Sequence, residues 1–120
     1  MDDLYRDIIL DRYKNPQNKG KLAGGIEAQE ANFLCGDKLK IAVKLKDGLI
    51  VDAKFEGGGC AISMAAVDLL LDKIVGMKLE AVKTMSGGEI EEMLGVELTP
   101  ARKKCAYLGL EVLKKIEIRE

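Results

Sequence analysis

The chain has 120 residues, 48% of them apolar and 32% charged, with 19 basic against 20 acidic side chains and a net charge of −1. That length suits one domain with a single core, and the composition is that of a folded, water-soluble protein. Balanced charge, two Phe, three Tyr and no Trp supply neither the basic stripe nor the stacking platforms of a nucleic-acid binder, and no apolar run approaches a membrane span.

The opening Met1-Asp2-Asp3 is acidic where a secretory signal would be basic. An odd number of widely spaced cysteines does not make a disulfide framework, so a reducing, cytoplasmic setting is expected.

Leu4, Ile8 and Ile9 recur at helical spacing after Asp2 and Asp3, which can cap a helix. That helix should stop within Lys14-Asn15-Pro16-Gln17-Asn18-Lys19-Gly20, because proline restricts its predecessor and glycine ends the run. Tyr5 and Tyr13 lie on or beside its apolar stripe. A strand somewhere in residues 26–33 is weakly signalled. Leu39, Ile41, Val43 and Leu45 then alternate with Lys38, Lys40, Lys44 and Lys46, a half-buried strand in which Ala42 is the one outer position without a lysine. Asp47-Gly48 tolerates positive φ at both positions and predicts a hairpin. The return strand covers residues 50–56, with Val51, Ala53 and Phe55 inward and Asp52, Lys54 and Glu56 outward.

After Gly57-Gly58-Gly59 the apolar period becomes helical. Residues 61–75 are polar only at Ser63, Asp68, Asp72 and Lys73, which predicts a largely buried helix stopped by Gly76. Ser86-Gly87-Gly88-Glu89 matches a capping box, opening a short helix that Gly95 closes. Thr99-Pro100 opens the last helix, since Thr99 can cap it and Pro100 has no donor to lose in the first turn. Ala101, Cys105, Leu108 and Val112 share one face of it. The expected fold is α+β: an antiparallel sheet with helices, in one domain over residues 1–120.

Chemistry concentrates on three cysteines. Cys60 follows a strand and three glycines and opens a helix, where outward N–H groups and the helix dipole favour a thiolate, and where glycine lets a ligand approach the backbone. Cys35-Gly36-Asp37 places a thiol and a carboxylate in one turn. Cys105 sits on the apolar stripe of the last helix, directly after Arg102-Lys103-Lys104, three cations that predict an electropositive, partly open environment. Taken singly, each setting is equally that of an ordinary turn or core cysteine, and the cations that of a solvated face. Taken together, three thiols and Asp37 form a set of three sulfurs and one oxygen suited to zinc or an iron–sulfur cluster. The sequence has no histidine, so no imidazole can complete the set. The steps of 25 and 45 residues between the cysteines mean that the whole fold, not a local knuckle, assembles the site.

Four motifs in order, Ile9-Leu10-Asp11-Arg12-Tyr13-Lys14-Asn15-Pro16 with Asn18 and Gly20, Cys35-Gly36-Asp37, Gly57-Gly58-Gly59-Cys60-Ala61-Ile62-Ser63 and Lys104-Cys105-Ala106, resemble those of the IscU/NifU-type iron–sulfur cluster assembly scaffolds over nearly the full length. The resemblance implies a three-stranded antiparallel sheet with helices packed on one side. It also implies a scaffold rather than an enzyme in the usual sense. Sulfur would arrive as persulfide from a cysteine desulfurase, iron would join it, and a labile 2Fe-2S cluster would be built and handed to recipient apo iron–sulfur proteins. Cys35, Cys60 and Cys105 match the family's cysteines, Cys105 being the one that matches the sulfur acceptor. Asp37 matches the aspartate tied to cluster lability and zinc binding.

Two departures stand out. Lys104 occupies the place of the histidine of typical IscU proteins, as in the SufU branch, yet the step from Cys60 to Cys105 lacks the insertion of that branch. Leu98-Thr99-Pro100-Ala101-Arg102 replaces the proline-rich motif gripped by a dedicated Hsp70 chaperone, which puts chaperone-driven release in question. The competing expectation is a zinc-dependent, persulfide-accepting sulfurtransferase of SufU type. A metal-free interaction domain with buried thiols is a third. A homodimer would shield a cluster edge, and no residue of the sequence establishes one.

Overall fold

The computed structural model describes residues 3–32 and 36–117. Three strands, β1 (Ile26–Asn32), β2 (Asp37–Lys46) and β3 (Leu49–Gly58), form an antiparallel sheet in the order β1-β2-β3. Alternation along β2 decides its two faces: Leu39, Ile41 and Val43 are buried inward, and Ile41 stands opposite both Ala28 and Phe55. Ala42 points outward but is only 7% exposed. The chain at Gly25 passes so close that a Cβ there would lie 3.2 Å from the Ala42 Cβ. A lysine at position 42 would collide with that loop, which accounts for the gap in the lysine row.

The hairpin turn forms at Asp47 and Gly48, with φ of 53° and 80°. The return strand departs from the expected alternation. The β2–β3 register shifts between Lys44, opposite Asp52, and Leu45, opposite Ile50, leaving Val51 as the extra residue of a β-bulge. Ile50 is therefore fully buried and Val51 is 49% exposed, reversing the expectation that Val51 faces inward. Ala53 and Phe55, beyond the bulge, are buried as expected.

Helices α1 (Asp3–Lys14), α2 (Ala61–Ile74), α3 (Leu79–Lys83), α4 (Gly87–Leu94) and α5 (Pro100–Lys114) complete the fold. α2 and α5 pack on each other and on the inner sheet face. Gly109 permits their close approach, since a Cβ there would meet the Val67 side chain at 3.1 Å. The local signals hold. Thr99 Oγ1 accepts from the Arg102 N–H, the Glu89 carboxylate accepts from the Ser86 N–H at 2.9 Å, and Gly95 ends α4 with φ 70°. Cys105, Leu108 and Val112 are buried, whereas Ala101 is exposed in the first turn of α5. The five-residue α3 has no signal that singles it out; Leu79 and Val82 hold it in the core.

The edge of β3 is covered at both ends by non-strand backbone. At one end the Ile50 N–H donates to the Met77 carbonyl and the Gly76 N–H to the Ile50 carbonyl, both at 2.8 Å. At the other the Phe55 N–H donates to the Asn18 carbonyl at 2.9 Å, and the Gly20 N–H to the Phe55 carbonyl at 2.8 Å. Pairing these groups removes an open edge that could recruit another chain.

α1 is held differently from expectation. Leu4 is 63% and Ile8 38% exposed, and only Ile9 of the anticipated stripe is buried. Asp2 and the Asp3 side chain, the expected caps, lie outside the described residues. What ties the segment down is polar. Arg12 Nη1 lies 3.0 Å from Asp68 and 2.6 Å from Asp72. Burial opposes the charges of Arg12 and Asp72, yet the Arg12 pKa is raised and that of Asp72 lowered, because the ion pairs and the Asn18 hydrogen bond outweigh it.

The bulge predicts an asymmetry between neighbours. Ile50→Ala should lower unfolding free energy by about 2–5 kcal/mol and Val51→Ala by less than about 1 kcal/mol, measured by urea denaturation. Equal losses would place Val51 in the core and contradict the register.

Candidate metal and sulfur site

The site forms at one end of the sheet, where β2 begins, β3 ends and α2 starts, with α5 lying across. Asp37, the first residue of β2, stands opposite Asn32 and is fully buried. Gly36 before it takes φ 69°, a conformation glycine adopts without strain. The Asp37 Oδ1 accepts the Cys60 N–H at 2.9 Å, which pins the start of α2 to the start of β2.

The three glycines are not equivalent. Gly57 has φ 142°, and a Cβ on it would lie 2.1 Å from the Lys38 carbonyl oxygen. A Cβ on Gly59 would lie 2.1 Å from Asp37 Oδ1 and 2.7 Å from Ser63 Oγ. Gly58 has open space around it. Two of the three are thus demanded by close approach, and the middle one is not.

Cys60 is the N-cap of α2. Its sulfur accepts from the Ser63 N–H at 3.5 Å, while the Ser63 hydroxyl donates to the Cys60 carbonyl at 3.0 Å. Cys60 is half-buried, and Cys105 is 3% exposed. The expectation of a partly open Cys105 is therefore corrected: helical rotation turns its sulfur to the interior, whereas Arg102, Lys103 and Lys104 stand in solvent, with Lys103 3.6 Å from Glu91.

One carboxylate oxygen of Asp37 and the sulfurs of Cys60 and Cys105 all lie within 4.8 Å of one another. Ligands at about 2.0–2.3 Å from a zinc ion stand roughly 3.3–3.8 Å apart along the edges of a tetrahedron. Small side-chain rotations close that difference, and the donor set of two sulfurs and one oxygen fits a thiophilic metal. Cys35, the remaining predicted ligand, lies outside the described residues.

Two further residues near this site are given no role of their own by the sequence. Ser63 orients the Cys60 cap. Asp68, fully buried, holds the segment before β1; a lone carboxylate after seven mostly apolar residues of α2 is the only hint of it.

An α+β domain with a thiol–carboxylate site at the end of its sheet is the class of protein that these features define. The family described as NifU-like N terminal domain matches residues 4–117, and the chain belongs to that family. Its relatives include the zinc-dependent sulfurtransferase SufU of Bacillus subtilis, 39% identical over 132 aligned positions that cover 96% of this chain and 90% of that protein. That alignment is longer than this chain, so the relative carries residues with no counterpart here. The iron–sulfur cluster assembly scaffold protein IscU of Thermotoga maritima is 34% identical, with 93% and 91% covered. Among solved structures, a putative iron–sulfur cluster assembly scaffold for the SUF system from Fervidobacterium islandicum superposes with a TM-score of 0.76 at 26% identity, covering 92% of this chain and 93% of that one. The expected three-stranded antiparallel sheet with helices is thus both observed and shared.

Gly58→Ala should leave metal binding unchanged, and Gly59→Ala should weaken it at least tenfold with far-ultraviolet circular dichroism retained. Zinc titration of the two purified variants checks this. A tolerant Gly59 would mean that the approach of Asp37 to Cys60 is dispensable.

Proposed function

We propose that this protein is an iron–sulfur cluster assembly scaffold. It accepts persulfide sulfur from a cysteine desulfurase, builds a labile 2Fe-2S cluster on Cys35, Asp37, Cys60 and Cys105, and transfers it to recipient apoproteins. The observation that carries this reading is the meeting of Asp37, Cys60 and Cys105 from three distant parts of the chain. The family membership and the named scaffolds among its relatives support it.

The residues divide the work by chemistry. A thiolate accepts the outer sulfur of a donor persulfide, and the donor cysteine leaves as thiolate. Sulfane sulfur needs reduction to become bridging sulfide, so iron and electrons come from outside the chain. The sulfurs of the cysteines are soft ligands for iron, and the Asp37 oxygen is a harder, weaker one, which favours release over permanent retention. Asp37 accepts the Cys60 N–H at Oδ1, which holds its carboxylate beside the sulfurs where it can act as a ligand.

A second reading, a zinc-dependent sulfurtransferase, rests on the Bacillus subtilis relative and on Lys104 before Cys105. Anaerobic purification separates the two. Iron with acid-labile sulfide supports the scaffold, and zinc without sulfide supports the transferase.

Cys35→Ala, Cys60→Ala and Cys105→Ala should each lose the cluster on anaerobic reconstitution, followed by visible absorption. Two variants that hold cluster as well as the wild type would dissolve the shared site. Lys104→Ala should still assemble it, because that side chain stands in solvent. Asp37→Asn retains an acceptor for the Cys60 N–H and withdraws the anionic ligand, so transfer to an apo-ferredoxin should slow several-fold. Faster transfer would reverse the role given to Asp37.

A further inference from the structure

We propose that Asp68 is a positioning residue for Cys60, acting by seating residues 16–20 against the end of β3 that leads into the site. The proposal rests on the reading of Asp37, Cys60 and Cys105 as metal-holding.

Asp68 lies about two turns along α2 from Cys60 and is fully buried. A buried carboxylate in an otherwise apolar stretch is tolerated only with donors aimed at it. Its donors come from some fifty residues earlier in the chain. The Gln17 N–H reaches Oδ1 at 2.9 Å and Oδ2 at 3.0 Å, the Asn18 N–H reaches Oδ1 at 2.8 Å, and Arg12 Nη1 reaches Oδ2 at 3.0 Å. The Asn18 side chain then donates to the Asp68 carbonyl at 2.9 Å and to the Asp72 carboxylate at 2.8 Å. These donors leave together if the segment lifts. The carboxylate would then lose them all at once, which makes seating cooperative.

Apolar burial cannot replace this knot. Ile9 is the only buried side chain among residues 4–20. The seated segment reaches the site by backbone pairing, since Asn18 and Gly20 bracket Phe55, and the glycine run starts two residues later. Tyr13, Pro16 and Lys19 also line, with Phe55, Gly58, Gly59 and Met64, a pocket of about 150 Å³. The segment that flanks the glycine run is thus held by Asp68, and Gly59 sets the approach of Asp37 to Cys60. That approach leaves little slack, so a lifted segment translates into a displaced sulfur.

Asp68→Asn keeps the size of the side chain and removes its charge. Hydrogen exchange on the full-length apo protein should show protection of residues 4–20 reduced at least tenfold, with β1 and β2 unchanged. Zinc, added alone as the probe, should leave at least tenfold faster in a chelator chase, and Cys60 in the apo protein should be alkylated faster. Asn18→Ala, which removes the side-chain clip but leaves the carboxylate its backbone donors, should shift all three readings in the same direction by less. It keeps the test open should Asp68→Asn fail to fold.

Ile50→Ala serves as the control for general destabilisation, because it weakens the core far from this segment. If Asp68→Asn releases zinc and exposes Cys60 no faster than Ile50→Ala at matched stability, the positioning role is overturned. It is equally overturned if residues 4–20 loosen while zinc release and Cys60 alkylation stay at wild-type rates. Should the wild type bind no zinc and no cluster, the metal reading fails on its own, and Cys60 alkylation still decides the role of Asp68.

Discussion

The approach of Asp37 to the Gly59–Cys60 peptide is the constraint on which the rest of this molecule depends. A buried carboxylate takes the N–H of the residue that caps α2, at 2.9 Å. That single bond joins the start of the central strand to the start of the central helix. It also brings a hard oxygen to within 4.8 Å of two soft sulfurs. Both partners would be costly to bury alone, the carboxylate for want of donors and the helix N-terminus for want of acceptors. Each supplies what the other lacks, so the site is also part of what holds the fold.

β3 is the mediator between the site and the periphery. It is an edge strand, yet its exposed edge is capped near Ile50 by the turn after α2 and near Phe55 by the segment after α1. The first cap forces the bulge at Val51, because Ile50 must turn inward while its backbone pairs with Gly76 and Met77. The second brings a polar knot centred on Asp68 next to the glycine run. Both caps are backbone hydrogen bonds, and the segment that makes the second is in turn held by the charge of Asp68. The end next to Cys60 is the one whose covering segment depends on the polar knot, since Ile9 is the one buried side chain among residues 4–20.

The two described sulfurs differ in access for a geometric reason. Cys60 caps a helix at the sheet end and remains half-buried, whereas Cys105 lies in the second turn of α5 with its sulfur turned into the core. The cations before Cys105 project into solvent around the same helix. They do not sit on the sulfur, and Lys103 instead lies 3.6 Å from Glu91.

Periodicity alone carried much of this structure. The lysine–apolar alternation of β2, the Asp47-Gly48 turn, the apolar run of α2, the Thr99-Pro100 opening of α5 and the Ser86–Glu89 box are local patterns, and each forms where it was expected because its energetics are settled within a few residues. That Asp37, Cys60 and Cys105 belong together was legible for a related reason: few residue types bind soft metals, and this chain offers no histidine to compete. Only the tertiary structure decided what depends on a second segment arriving. Val51 turns out and Ile50 in because of a turn nearly thirty residues away, and Ala42 is small because Gly25 crosses it. Leu4 and Ile8 stay exposed because α1 is anchored by Arg12, and Cys105 is closed because α5 packs face-down on α2. Asp68 reads in the sequence as one polar residue in an apolar helix. Its meaning appears only when Arg12, Gln17 and Asn18 fold back onto it, since a buried charge is defined by the donors that reach it and those lie some fifty residues away.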